Sequence, residues 1–258
     1  MKKQVINLRA CSKSLIAFCM ALGLSIFFVE HASAAPNSKR PVPSPEVMQA
    51  ALWRAGEMHD FKLEGLMRTP RGSHPIVMRT RGRVVVIEFL DQPLQIYVRY
   101  TPDGSLIYRR KNAQEEWHPV STQAKLERVL GSDITYEDLG IEFLRWPEVR
   151  PLGTDSIKTL PAWAYEARPK GASQYSKAKF WISSEYLALL RVDAFNTKGE
   201  LIKRVEVNGV QRVGDAYTIQ EMMVSNLIPG RDVSSSRTYI DIRKAEPGSG
   251  LSADLAQL

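Results

Sequence analysis

Residues 84–101 read VVVIEFLDQPLQIYVRYT, and this stretch decides the fold. Apolar residues alternate along 84–90 and again along 94–101, with Asp91-Gln92-Pro93 between them. A period of two residues is that of a β-strand, and a short proline-containing turn joins strands that run antiparallel. The stretch therefore predicts a β-hairpin.

Both strands of this hairpin have one apolar and one polar face. The predicted inner face comprises Val85, Ile87, Phe89, Leu94, Ile96, Val98 and Tyr100. Glu88, Gln95 and Arg99 occupy opposite positions, so we predict that the outer face is largely hydrated. Phe180 and Ile182 form a similar inward pair on a later strand.

The same alternation recurs on both sides of the hairpin. Further strands are predicted from residue 61, at 105–111 and 115–120, and over 161–169, 176–184, 187–197, 200–213, 216–228 and 233–243. Helical spacing is confined to 45–59, 122–130 and 134–139. About ten or eleven strands with two or three helices favour an antiparallel meander over βαβ units, because so few helices cannot cover both faces of a parallel sheet. The predicted class is mainly β (α+β).

The first 34 residues have the pattern of a secretory signal peptide. Lys2 and Lys3 form a basic start, an apolar run follows over 14–29, and Ala32-Ser33-Ala34 offers small residues to a signal peptidase. The apolar run has 16 residues, whereas a membrane-spanning helix needs about 20. We therefore predict cleavage after Ala34 and a periplasmic mature protein.

The two cysteines, Cys11 and Cys19, both lie within this predicted signal. A bacterial lipoprotein would carry a cysteine at the cleavage point, where this chain has Ala35. The mature chain would thus have no disulfide, no catalytic thiolate and no cysteine–zinc site. Its 224 residues are enough to bury a core without disulfides.

Composition, together with the proline- and glycine-rich stretches at both ends, predicts one folded domain over residues 45–244. A proline-rich flexible leader precedes it at 35–44, and a flexible tail follows at 245–258. The whole chain has a net charge of +7, which falls to +4 without the first 34 residues. So small an excess does not call for nucleic acid, although it suits transient contact with a membrane surface.

Basic residues cluster at Arg79, Arg81 and Arg83, at 109–111 and at 203–204. Solvated strand faces and turns explain most of them, and binding of anionic headgroups is the alternative. Signatures of catalysis are missing, because the histidines of the mature chain lack metal-ligand spacing and there is no G-x-S-x-G or phosphate-binding glycine loop. We predict no catalytic residue, metal or cofactor.

Three segments carry a resemblance: Gly131–Leu139 (GSDITYEDL), Gln174–Ile182 (QYSKAKFWI), and Leu190–Phe195 leading into Lys198–Lys203. In this order they resemble the outer-membrane lipoprotein-sorting proteins, a LolA-like superfamily of periplasmic lipoprotein carriers. The resemblance implies a curved antiparallel half-barrel with helices as a lid over an apolar cavity. The family often has an Asp-Gly turn where this chain reads Lys158-Thr159-Leu160-Pro161.

The resemblance also implies a ligand, a site and partners. Lipoprotein acyl chains or lipids would bind without covalent chemistry, and the protein would work as a monomer with inner- and outer-membrane transfer proteins. The candidate acyl-chain-binding residues are Val85, Ile87, Phe89, Ile96, Val98, Tyr100, Phe180 and Ile182. A strand arginine would hold the lid, and Arg79, Arg81 and Arg99 are the candidates. The alternatives are an envelope sensor or regulator of the same fold that binds a peptide or protein, or an enzyme whose residues meet only in the folded chain.

Overall fold

The structure, a computed structural model, describes residues 40–55, 58–214, 216–252 and 255. The predicted signal peptide and the first five residues of the predicted leader lie outside these residues. The described part contains two α-helices, α1 (Pro45–Ala55) and α2 (Tyr136–Gly140). It also contains three single-turn 3-10 helices, at Ala124–Leu126, Val129–Gly131 and Glu142–Leu144.

Thirteen strands within these residues form one sheet. They are β1 (Met58–Thr69), β2 (Gly72–Gly82), β3 (Val84–Phe89), β4 (Leu94–Thr101), β5 (Gly104–Arg110), β6 (His118–Pro119), β7 (Glu148–Ile157), β8 (Leu160–Arg168), β9 (Lys177–Ser183), β10 (Leu189–Phe195), β11 (Leu201–Val213), β12 (Ala216–Leu227) and β13 (Ser234–Pro247). The order across the sheet is β6-β5-β4-β3-β2-β1-β13-β12-β11-β10-β9-β8-β7, and every neighbouring pair is antiparallel.

The order of the strands explains how the sheet acquires a cover. Each strand lies beside the next one in the chain, except that β1 pairs with β13 and that β6 and β7 form the two edges. Residues 120–147, here called the lid segment, connect those edges and so cross the inner face of the sheet. Ile134, Leu139 and Leu144 of this segment are buried in the same core as the inner faces of the strands. Met48 and Leu52 of α1 complete that core. The mainly β class is confirmed, and the open, curved sheet fits a half-barrel.

The predicted number of ten or eleven strands is too low. The prediction lacked β2, whose sequence GSHPIVMRTRG contains Pro75 and two arginines, and β7, whose sequence EVRPLGTDSI does not alternate. β7 is an edge strand with an exposed surface, so burial does not impose a period of two on it. The sequence signal for a strand is weak wherever neither face is buried.

Two predicted helices are shorter than expected. The helix predicted over 45–59 ends at Ala55, and His59 and Asp60 belong to β1. Strand pairing overrides the helical spacing here, since Met58 pairs with Gly82 and the carbonyl of Asp60 accepts a bond of 2.6 Å from Gly248 N. The helix predicted over 122–130 is replaced by two 3-10 turns, and Leu130 has a φ of 49°.

The outer face of the first hairpin is buried where a hydrated surface was predicted. Val84, Val86 and Tyr97 point outwards and form a small second core with Leu251. β13 continues to Pro247, and residues 248–252, here called the C-terminal segment, then turn back over β2–β4. Arg79 Nη1 donates to the carbonyl of Ser249 at 3.1 Å and Arg81 Nη1 to that of Leu251 at 2.6 Å.

Candidate functional site

An apolar cavity lies between the lid segment and strands β9–β12. The sheet contributes Ala178, Leu189, Val192, Ala194, Val205, Val207, Ile219, Met222 and Val224. The lid segment contributes Ile134, Glu137, Asp138, Ile141, Glu142, Phe143 and Trp146, and Tyr175 and Lys203 complete the lining. Val205 and Val207 are only half-buried, so this wall of the main cavity reaches towards the surface.

Strand register accounts for the apolar wall. Val192 pairs with Val205, and Val205 pairs in turn with Val224, which places three branched side chains in a row across β10–β12. Ala178 and Ala194 face each other on β9 and β10. Two alanines in opposite positions leave space that larger side chains would fill, and this space forms part of the cavity.

The main cavity has a volume of about 50 Å³. Sites for ligands of drug size usually have volumes of about 300–1,000 Å³. A second apolar cavity, of about 20 Å³, lies beneath Leu139 and is lined in part by Ile87, Phe89 and Ile96. An acyl chain would therefore enter only if the lid segment moved away from the sheet.

Asp133 anchors the beginning of the lid segment to β12 and β13. Its side chain is fully buried. The carboxylate accepts hydrogen bonds from Asn226 Nδ2 at 2.7 Å, from Thr238 Oγ1 at 2.9 Å and from Ser236 Oγ. Because all three donors are neutral and come from two strands, they satisfy the buried carboxylate while they fix the chain at this point.

Asp138 forms a second attachment, which we call the latch, at the N-terminal turn of α2. Lys203 Nζ of β11 donates to Oδ2 and the Tyr175 hydroxyl donates to Oδ1, each at 2.5 Å. The side chains of Lys203 and Asp138 are 6% and 10% exposed, so this ion pair is buried. Asp138 also accepts bonds from the backbone N and Oγ1 of Thr135, which completes a capping box at the start of α2.

Burial and the adjacent Asp138 carboxylate raise the pKa of Tyr175 well above its ordinary value. The phenol therefore stays neutral and remains a donor at neutral pH. Ser173 Oγ donates to Glu137 Oε1 at 2.5 Å, on the same side of α2. The first turn of α2 is thus bound through side chains to the segment that precedes β9.

The other end of α2 is bound to the opposite half of the sheet. The Tyr100 hydroxyl of β4 donates to the carbonyl of Leu139 at 2.9 Å, and Ser105 Oγ of β5 donates to that of Gly140 at 2.7 Å. Arg145 Nη2 donates to Ser105 Oγ and to the carbonyl of Gly140, both at 2.8 Å. The lid segment therefore bridges β4–β5 and β11 across the inner face.

The eight candidate acyl-chain-binding residues all lie in the main core. Ile87, Phe89 and Ile96 line the second cavity, and Phe180 packs against Tyr165 and Phe143 with ring centroids 5.6 and 5.7 Å apart. None of the eight lines the main cavity. Sequence reasoning centred on β3 and β4 because their alternation is strongest, whereas the main cavity forms where small and medium-sized side chains meet on β9–β12.

The candidate lid-holding arginines lie on the outer side of the sheet. Arg79 and Arg81 donate to the C-terminal segment, and Arg99 of β4 pairs with Val84. Lys203, by contrast, forms an ion pair with the Asp138 carboxylate of α2. A signal for it exists in the sequence, since Lys203 is in phase with Val205 and Val207 and so occupies an inward position that requires a buried partner.

Two negative findings apply to the described ranges. No three histidine, cysteine or acidic side chains there are close enough to hold a metal ion. No helix in that part of the chain is long and apolar enough to cross a membrane.

A family model described as "Uncharacterized protein" matches residues 112–255, more than half of the chain. The chain belongs to that family. The match covers the whole lid segment and strands β6–β13, which together form the main cavity and the attachments through Asp133 and the latch. No curated protein sequence matches the chain.

Solved structures share the fold over most of the chain. A DUF1329 family protein from Desulfovibrio piger has a TM-score of 0.68 at 18% identity, covering 84% of this chain and 97% of the other. A domain that its name assigns to an outer membrane lipoprotein-sorting protein, from Vibrio parahaemolyticus, has a TM-score of 0.66 at 17% identity, with coverages of 81% and 94%. A LolA superfamily protein from Nitrosomonas europaea has a TM-score of 0.53 at 11% identity, with coverages of 76% and 89%. The predicted resemblance is confirmed at the level of the fold.

Proposed function

We propose that this protein is a periplasmic carrier or binding protein for lipoprotein acyl chains or lipids, acting in outer-membrane lipoprotein sorting. The observation that carries the proposal is the main cavity, whose walls are mostly apolar and whose cover is held by a small number of polar contacts. The shared fold with proteins named for lipoprotein sorting and for the LolA superfamily adds support.

Binding of an acyl chain needs only burial of apolar surface. Each methylene buried away from water contributes about 0.8 kcal/mol, so an opened cavity that covers the chain can match the burial that a membrane provides. No bond is made or broken, and we accordingly propose a binding function without catalysis or cofactor.

The chemistry of the latch suits a cover that must open and close. Each polar bond between α2 and the sheet exchanges for a bond to water, so its net contribution is about 0.5–1.5 kcal/mol when neutral and somewhat more when charged. An incoming chain would displace Ile141, Phe143 and Trp146 from the cavity and provide a replacement apolar surface. Opening would then cost little once ligand is present, and closure would follow its release.

Export belongs to the same proposal, with residues 1–34 acting as a signal peptide cleaved after Ala34. The protein would work as a monomer that contacts membranes and dedicated inner- and outer-membrane transfer proteins transiently. We propose one folded domain that includes residues 45–244 and continues beyond the predicted end at 244, because β13 runs to Pro247 and Leu251 packs in the second core. The eight core residues named above would form the deeper part of its opened cavity.

The alternative function is that of an envelope sensor that binds a peptide or protein partner by adding a strand to the sheet. The available long edge is β7, which contains Pro151 and a register shift between Pro151 and Gly153, as well as the charged residues Arg150 and Asp155. Proline, bulges and charges at an edge oppose strand addition. These features favour the carrier over the sensor.

Native mass spectrometry of the mature protein, purified without detergent and then mixed with acylated peptide or fatty acid, tests the proposal. We expect a bound mass that corresponds to one ligand, and its loss in Val205→Glu and Val207→Glu, whose side chains line the cavity and are only half-buried. Ile228→Glu is the matched control, because that residue is 39% exposed and lies away from the cavity. A wild-type protein that stays bare with every acylated ligand would exclude the carrier, and partner capture would then test the sensor.

A further inference from the structure

A solvent-open cleft, distinct from the two apolar cavities described above, lies on the other side of the lid segment. This cleft, of about 270 Å³, separates α1 from the turn Glu142–Leu144 and is lined by Gln49, Leu52 and Trp53 of α1 and by Pro102, Leu144 and Arg145 opposite. It is larger than the main cavity and open to solvent.

The turn Glu142–Leu144 is the wall between the two spaces. Glu142, Phe143 and Trp146 line the main cavity, whereas Leu144 and Arg145 line the cleft. Movement of this turn with the lid segment would join the two spaces. A molecule with an apolar chain in the main cavity would then have its polar end in the cleft.

Arg145 brings an incompletely paired positive charge to this cleft. Its Nη2 donates to two neutral oxygens, of Ser105 and Gly140, and within the described residues no carboxylate forms an ion pair with it. The charge of Glu142 acts on Arg145, but the Glu142 carboxylate bonds to Lys125 at 3.0 Å. Its buried Nε has no hydrogen-bond partner in that part of the chain. A half-buried guanidinium with one buried, unsatisfied donor and no counter-charge is costly and favours a bound anion.

A second arginine strengthens the positive field. The Arg83 guanidinium lies 3.6 Å from the centre of the Trp53 ring, which lines the cleft, and its Nη1 donates to the Trp53 carbonyl at 2.9 Å. Burial, together with the nearby charge of Arg83, lowers the pKa of Arg145 although Glu142 and Tyr100 act in the opposite direction. A negative charge in the cleft would offset both the burial of Arg145 and its repulsion by Arg83.

We propose that the cleft between α1 and the turn Glu142–Leu144 binds the oxyanion headgroup, phosphate or carboxylate, of the amphiphile whose chain occupies the main cavity, with Arg145 as its principal cationic contact. This inference rests on the proposed function for the chain and adds a headgroup preference to it. Arginine suits the role because its planar fork of donors matches the oxygens of phosphate and carboxylate.

Calorimetric titration of the full mature chain with two single-chain lipids tests the headgroup site. Palmitoyl-lysophosphatidylglycerol is anionic, and monopalmitoylglycerol has the same chain without charge. We expect the anionic lipid to bind at least about tenfold more tightly. Arg145→Gln should abolish this preference, so that the two lipids bind with equal affinity. Arg243→Gln, which removes a charge that is 59% exposed on β13, should retain the preference.

The outcomes separate the headgroup site from the acyl cavity. Equal binding of both lipids by wild type would overturn the headgroup site and leave the acyl-chain proposal intact. Equal loss of both lipids in Arg145→Gln would assign Arg145 a purely structural role and would also overturn it. If neither lipid binds, the acyl-chain proposal fails independently of Arg145.

NMR of the wild-type protein keeps the inference testable if Arg145→Gln does not fold. The Arg145 Nε–Hε signal should shift on addition of lysophosphatidylglycerol and stay in place with monopalmitoylglycerol. Inorganic phosphate is the third arm: a shift that saturates with phosphate alone would identify a free anion, rather than a lipid, as the occupant. An Arg145 signal that moves with none of the three would overturn the oxyanion site.

Discussion

At the scale of single residues, the lid segment depends on two buried aspartates with different partners. Asp133 is satisfied by neutral donors, so its position does not depend on a charged partner. Asp138 faces the cation of Lys203, so this attachment is an ion pair that has lost its water. A buried ion pair adds little compared with an apolar pair, yet removal of one partner is costly because it leaves an isolated charge.

Lys203→Met should therefore destabilise the protein by about 3 kcal/mol. Methionine retains the length and apolar stem of lysine but leaves the Asp138 carboxylate with Tyr175 and Thr135 alone. Urea unfolding at pH 7 measures the loss. The double variant Lys203→Met, Asp138→Asn should be more stable than Lys203→Met alone, because it removes the unpaired charge. Lys244→Met, in an exposed pair with Glu246, is the control and should leave the midpoint unchanged.

The carboxyl of Asp193 should make the free energy of unfolding depend on pH in the acid range. Burial opposes ionisation of its carboxyl, but hydrogen bonds from Arg191 and Arg204 outweigh it and hold the pKa below the ordinary value of 3.8. A folded pKa below the unfolded one gives stability that is present above about pH 4 and is lost as pH falls through the folded value.

Asp193→Asn should cost about 1–3 kcal/mol at pH 7, with a smaller difference from wild type at pH 2–3. Urea unfolding at both pH values checks this expectation. Asp232→Asn is the control, since Asp232 bonds to the same Arg204 but is 67% exposed. A difference between wild type and Asp193→Asn that stays constant between the two pH values would contradict the role of ionisation.

At the scale of elements, the lid segment is made of pieces that cannot fold alone. α2 has five residues, and the 3-10 turns have three residues each. Isolated helices shorter than about 12–15 residues are marginal in water. The capping box of Thr135 and Asp138 sets the start of α2, while Asp133 and the latch supply the tertiary contacts that hold it in place.

The C-terminal segment is a second short element that is stabilised only by packing. Leu251 is 7% exposed and covers Val84, Val86 and Tyr97 on the outer face of β3 and β4. Leu251→Ala should destabilise the protein by about 2 kcal/mol and should increase the binding of a hydrophobic dye. Val233→Ala is the control: it also truncates an aliphatic side chain, but one that is 54% exposed, so it should have no such effects. Equal stability of the two variants would mean that the segment contributes no packing energy.

At the scale of the whole molecule, the two edges of the sheet are joined by the segment that covers its inner face. In the proposed carrier, ligand loading and closure would both depend on movement of the lid segment. With a main cavity of about 50 Å³, the closed form has no room for a chain, so under the proposed function only a minor open form would bind ligand.

This arrangement predicts the kinetics of uptake. The observed rate of binding of a fluorescent fatty acid should reach a plateau at high ligand concentration, where opening of the lid segment limits it. Lys203→Met should raise that plateau, because it removes a contact present only in the closed form. Stopped-flow fluorescence measures both quantities. A rate that rises linearly with ligand at all concentrations, in both proteins, would show that no slow opening precedes binding.

Local pattern was sufficient for most of the strands. Alternation over 84–101 and across the last third of the chain correctly predicted the hairpins β3–β4 and β8–β13, since a strand with one buried face places apolar residues at every second position. The motif Thr135-Tyr136-Glu137-Asp138 likewise contains its own cap. The class and the inward faces follow from such short-range information.

The tertiary structure alone decided where the cavity lies and what closes it. Lys203 meets Asp138 across 65 residues, and Thr238 meets Asp133 across 105. The strand order places β1 beside β13 and so makes β6 and β7 the edges that the lid segment must join. Pairings between distant parts of a chain are determined by the global packing of the sheet, and no periodicity within a short window encodes them.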